Sequence, residues 1–113
     1  IEKLFSSEKK VNIDYGDFYK LKDKYEDNSI DILHIDIANN GDVYEYVFDN
    51  YISKMKKDGI TILEGGSEER DNIEWMKKYK KPAIKNVLEK YKDKYEILTI
   101  GCVPSITFIK NNK

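Results

Sequence analysis

The period of the hydrophobic positions changes several times along the chain, and each change predicts a new element. Val11, Ile13 and Tyr15 alternate with polar residues, which predicts a first short strand that Gly16 ends at a tight turn. Phe18, Leu21 and Tyr25 then fall three and four apart, so the pattern predicts one face of a short helix, broken by Glu26-Asp27-Asn28-Ser29. Residues 30–37, Ile30-Asp31-Ile32-Leu33-His34-Ile35-Asp36-Ile37, are almost continuously aliphatic. That composition predicts a strand buried on both faces, central in a parallel sheet.

After the Ala38-Asn39-Asn40-Gly41 loop, Val43, Val47, Tyr51 and Met55, joined by Phe48 and Ile52, form an apolar stripe at helical spacing. Lys54, Lys56 and Lys57 fall in its expected last turn, where cations suit the helix dipole, and Gly59 supplies a stop. Residues 60–63 read as a further strand ending at Glu64-Gly65-Gly66. Ser67, backed by Glu68 and Glu69, reads as a helix cap with first-turn carboxylates, and Ile73, Met76 and Tyr79 give that helix its apolar face. Pro82 opens another helix with the stripe Ile84, Val87, Leu88, Tyr91 and Tyr95. Residues 96–100 and 105–109 are strand-like, and the short Gly101-Cys102-Val103-Pro104 link between them allows only an antiparallel pair. The succession predicts an α/β domain: a parallel sheet with flanking helices and an antiparallel strand at or near its end.

Composition narrows the function classes. The 113 residues suit one domain, and a formal net charge of −1 with interspersed signs gives no electrostatic footprint for nucleic acid. The single cysteine, Cys102, excludes an internal disulfide and a thiolate-rich metal site, which fits a reducing, cytoplasmic location. No apolar run has the length to cross a bilayer, so no membrane partner is expected. The opening Ile1-Glu2-Lys3-Leu4-Phe5 has no initiator methionine and reads as the closing turn of a helix under way, so the chain is expected to begin in mid-domain.

Gly16-Asp17-Phe18, then Ile32-Leu33-His34-Ile35-Asp36, then Lys57-Asp58-Gly59-Ile60-Thr61-Ile62-Leu63-Glu64, then a terminal hairpin, come in an order that resembles the second half of the Rossmann-like, class I S-adenosylmethionine-dependent methyltransferase fold. The resemblance covers essentially the whole chain, and its terminal antiparallel strand pair is the family's most distinctive topological feature. It implies a mostly parallel sheet whose N-terminal part is absent, since the family's glycine-rich loop and ribose-binding acid would lie upstream of Ile1. It also implies S-adenosylmethionine as cofactor and methyl transfer, and the lack of a basic patch turns the expected acceptor toward a small molecule or sugar. Other Rossmann-type nucleotide-cofactor enzymes, or a noncatalytic scaffold on the same sheet, are the alternative readings. A homodimer is compatible with each.

The same resemblance assigns site residues. Asp17 would accept a hydrogen bond from the adenine amino group, with Phe18 offering a backbone amide or ring face. From the residues alone, Asp17 equally suits a helix cap. Asp36, a carboxylate at the end of a buried strand, would face the methionine part of the cofactor and the methyl-transfer edge. Glu64 ends the neighbouring strand and is expected beside Asp36 as the second catalytic carboxylate. Two such carboxylates could bind Mg²⁺ or share a proton, although glutamate at this place departs from the metal-dependent branch of the family. His34, the only histidine, reads as a packed residue before a general base. Arg70, the only arginine, reads as part of a solvated helix start or as a contact to an anionic substrate. Cys102 reads as a small buried hydrophobe.

Overall fold

The computed structural model describes residues 11–112. Its elements are α1 (Phe18–Leu21, continued as a 3₁₀ turn Lys22–Lys24), β1 (Ile30–Ile35), α2 (Gly41–Tyr46), β2 (Met55–Glu64), α3 (Glu68–Asp71), α4 (Glu74–Lys78), α5 (Ile84–Tyr91), β3 (Glu96–Gly101) and β4 (Ser105–Lys110). The four strands form one mixed sheet in the order β1-β2-β4-β3. β1 and β2 are parallel, with Ile35 opposite Leu63, whereas β4 runs antiparallel to both of its neighbours. The last strand of the chain therefore lies inside the described sheet.

Helices cover one face of this sheet. Val43, Val47, Phe48 and Tyr51 from the helix begun by α2, with Ile84 and Leu88 from α5, bury Ile35, Leu63 and Ile109. These strand residues alternate with ones that face the other way, as strand pleating requires. On that opposite face Ile32 is 67% exposed, Leu98 59% and Ile100 56%. Phe48 stacks on Tyr91 with ring centroids 4.0 Å apart, tying α2 to α5. Phe18 stacks on Tyr51 at 4.9 Å and fixes α1 against the same layer.

Several expectations are corrected. The sheet is not mostly parallel: the described strands contain one parallel pair and two antiparallel ones. β1 is not central and does not extend to residue 37. It ends at Ile35 and forms an edge, because none of the described residues pairs with its outer side. Val11, Ile13 and Tyr15 form no strand. Alternation alone cannot make one when the backbone finds no ladder partner.

The stripe from Val43 to Met55 holds, but its last member leaves the helix. The helix widens into a π turn over Val47–Tyr51, tightens to 3₁₀ over Ile52–Lys54, and Met55 already begins β2. Apolar residues spaced exactly four apart drift around a helix of 3.6 residues per turn, and a wider turn counters the drift. Lys56 and Lys57 consequently lie in an irregular start of β2, where the register slips between Ile30 and Ile32. Asn111 clasps this irregularity through hydrogen bonds from Nδ2 to the carbonyls of Met55 and Lys56, both at 3.1 Å. The single helix expected after Ser67 is two short ones, interrupted at Asn72 and Ile73. Among the described residues no helix is long and apolar enough to cross a membrane.

Candidate functional site

The C-terminal ends of a parallel strand pair point their unpaired backbone groups to one edge, which is where α/β proteins gather ligands. In this chain that edge is built by the ends of β1 and β2. Ile35 and Leu63 are ladder partners, so Asp36 and Glu64 follow them at the same level. Asp36 is exposed and its side chain has no hydrogen-bond or ion-pair partner among the described residues, which leaves its carboxylate free as an acceptor.

Glu64 has a different setting. Arg70 donates from Nε to Oε2 at 2.7 Å and from Nη2 to Oε1 at 2.9 Å, a two-point grip on the carboxylate. Arg70 Nη2 also reaches the carbonyl of Asn39 at 3.0 Å. Asn39, fully buried, sends Nδ2 to the carbonyls of Ile35 and Glu64, both at 3.2 Å. The Tyr44 hydroxyl donates to the Glu64 carbonyl at 3.0 Å. Burial pushes the pKa of that hydroxyl far above its ordinary value, so it stays a neutral donor. The ends of β1 and β2, the loop at 36–40 and the start of α3 are thus knit together by Asn39, Tyr44, Glu64 and Arg70.

The turn that brings Arg70 back to Glu64 depends on two glycines. Gly65 and Gly66 have φ of +105° and +116°, and a Cβ on Gly66 would stand 2.0 Å from Thr107 Oγ1. Thr107 Oγ1 donates to the Gly65 carbonyl at 2.7 Å, and Gly65 N donates to the carbonyl of Ser105 at 2.7 Å. Ser67 then caps α3, its Oγ accepting from Arg70 N at 3.0 Å while it donates to the carbonyl of Cys102. The loop after β2 is therefore anchored to the β3–β4 hairpin. Beside Gly66 and Ser67 a cleft of about 380 Å³ opens, lined by apolar Leu88 and Ile97 and by both signs of charge, Lys85 and Lys92 with Glu68, Glu69 and Glu89.

The remaining candidates are dispersed. Asp17 caps α1, its Oδ1 accepting from Tyr19 N at 2.9 Å, and lies on the aromatic cluster rather than at the Glu64–Arg70 network. The Phe18 ring is used in that cluster, between Tyr51 and Tyr46, and its carbonyl accepts from the Tyr51 hydroxyl at 2.5 Å. His34 is exposed on the uncovered sheet face, opposite Ile62, instead of packed. Cys102 is exposed at the hairpin tip instead of buried. Arg70 is neither solvated nor open to substrate, because its side chain is 8% exposed. No group of three or more His, Cys, Asp and Glu side chains capable of holding a metal ion occurs among the described residues. A cation at Glu64 would have to displace the Arg70 guanidinium from both carboxylate oxygens.

Asn39, Tyr44 and Asp71 escape a reading by sequence motif. Asp71 accepts from the backbone of Ile84 at 2.7 Å and Lys85 at 3.0 Å, capping α5 from 13 residues upstream. Its separation from α5 removes the usual cap signal, while Asn39 stands in a loop whose composition signals only a turn. No protein-family model matches the chain, and no curated protein matches it.

Proposed function

We propose that this chain forms the C-terminal part of a Rossmann-like S-adenosylmethionine-dependent methyltransferase domain, acting on a small-molecule or sugar acceptor. The observation that carries the reading is the arrangement of the last strands. A parallel pair ends at Ile35 and Glu64, with Asp36 next after Ile35, and the terminal antiparallel strand β4 sits between β2 and β3. That arrangement accords with the order of motifs in the sequence. S-adenosylmethionine, when bound, supplies an activated methyl group, and its transfer needs chiefly proximity and orientation. Few catalytic side chains are then required of the protein.

In this reading Asp36 is the residue that meets the cofactor, since its carboxylate is free and solvated at the strand edge. Glu64 serves through its ion pair instead of as a metal ligand. Asp17, already capping α1, retains a second oxygen for the adenine amino group. The 380 Å³ cleft beside Gly66 has the size of a small-molecule site and is the place for the acceptor.

A noncatalytic scaffold is the competing reading, favoured by the structural duties of Asp17 and Glu64. Calorimetric titration of S-adenosylmethionine into the protein at its full natural length separates the two. The proposal expects saturable binding that Asp36→Ala abolishes or weakens severely, and that Asp17→Ala weakens by roughly tenfold. Absence of binding, or unchanged binding in Asp36→Ala, overturns it.

A further inference from the structure

Arginine at position 70 is chemically expensive. It is 6% exposed, its Nη1 is buried without a hydrogen-bond partner, and methionine would fill the same path without that orphaned donor or the buried charge. Its geometry shows what the guanidinium does that no other side chain could. One planar fork takes both oxygens of Glu64 and, through Nη2, the carbonyl of Asn39. An ammonium is a single point and cannot hold a carboxylate in two places while also reaching a carbonyl from a different loop.

Asn39 is the anchor of the segment at 36–40. Its amide N donates to the carbonyl of Ile37 at 2.7 Å, closing a tight turn, and its Nδ2 bridges the ends of β1 and β2. Asp36 stands between Ile35, fixed in the ladder, and this turn. Downstream, Asn40 holds the Ala38 carbonyl and caps α2, while Asn39 joins the turn to the ends of β1 and β2 and Arg70 pins Asn39 from outside the turn. Arg70 itself is set by the Ser67 cap and the Gly65-Gly66 reversal.

We infer that Arg70 is a positioning residue: by bridging Glu64 and the Asn39 carbonyl it fixes the loop at 36–40 and so sets where the Asp36 carboxylate stands. The inference rests on the reading of Asp36 as the cofactor contact. Removing the fork would leave the strands in place but let the loop wander, so the cofactor would be held less well in the orientation that methyl transfer needs.

The test uses Arg70→Lys, Arg70→Gln and Glu64→Gln in the full-length protein, with two independent readouts. Amide hydrogen exchange follows residues 37–40 against those of β2 and β4. Titration with S-adenosylmethionine follows affinity. In Arg70→Gln, exchange at 37–40 should accelerate at least tenfold with β2 and β4 unchanged, and cofactor affinity should fall about tenfold or more. Arg70→Lys should restore neither, whereas Glu64→Gln, which keeps an acceptor for the fork, should retain part of both. Unchanged exchange at 37–40 in Arg70→Gln overturns the positioning role, as does full restoration by lysine. Should Arg70→Gln fail to fold, the graded comparison of Arg70→Lys with Glu64→Gln decides by the same criteria. A wild-type protein that binds no S-adenosylmethionine overturns the functional reading alone, and the exchange result still judges Arg70.

Discussion

Arg70 grips Glu64 across the Gly65-Gly66 reversal, with Nε 2.7 Å from Oε2 and Nη2 2.9 Å from Oε1. The partners differ in exposure: the Arg70 side chain is 8% exposed and that of Glu64 34%. Breaking the pair from either side is consequently unequal. Glu64→Ala strands a buried cation and should cost on the order of 3 kcal/mol, near the range for broken buried pairs. Arg70→Met leaves a carboxylate that water can reach and should cost clearly less. Urea denaturation of the two variants checks this, and a larger loss in Arg70→Met contradicts it.

Gly66→Ala should be among the most damaging small substitutions in the chain. A methyl group there meets Thr107 Oγ1 at 2.0 Å and sits on a backbone with φ of +116°. The combined strain is on the order of 3 kcal/mol. Gly16→Ala is the control, because its Cβ would meet only the flexible Leu21 side chain. Comparable thermal unfolding of the two variants would show that the loop after β2 is not built as described.

Stability should fall steeply in alkali. Burial raises the Tyr44 hydroxyl far above its ordinary pKa and pushes Tyr51 up to about 12. Both folded-state values exceed the unfolded value near 10, so each contribution is fully present below pH 10. It is lost as pH rises through the folded value, at about 1.4 kcal/mol per pH unit per group. For Tyr51 the loss falls between about pH 10 and 12. Tyr44→Phe and Tyr51→Phe should each flatten the slope of unfolding free energy against pH in that window. Slopes equal to wild type would contradict the burial of these hydroxyls.

The uncovered sheet face makes a separate prediction. Ile32, Leu98, Ile100 and Ile106 are all exposed on it. The protein should therefore bind a hydrophobic fluorescent dye while folded, and Leu98→Lys should reduce that binding at unchanged melting temperature. Dye fluorescence that Leu98→Lys leaves untouched would place the apolar surface elsewhere.

Local chemistry made much of this legible in the sequence. The hairpin of β3 and β4 followed from a link too short for a crossover, and the Ser67 cap from a hydroxyl placed before two glutamates; both are found. Of the stripe Ile84, Val87, Leu88, Tyr91 and Tyr95, Ile84 and Leu88 lie buried and the other three are half-buried against the core. What escaped depends on contacts between distant segments. The end of β1 at Ile35, its edge position and the failure of Val11 to Tyr15 to form a strand are set by which partners exist, and periodicity does not encode partners. The site was half legible for the same reason. Register placed Asp36 and Glu64 at one edge, but the capture of Glu64 by Arg70 required the two-glycine reversal, which composition marks only as a turn.

The proposed function places S-adenosylmethionine against Asp36 at the strand edge. Titrating the cofactor into isotope-labelled full-length protein and following backbone amide shifts residue by residue tests it most directly. Saturable shifts are expected at 17–18 and 36–40, with none at the Asn111 clasp on the opposite edge of the sheet. Titration to saturating cofactor with the amides of Asp36 and its loop unmoved would contradict it.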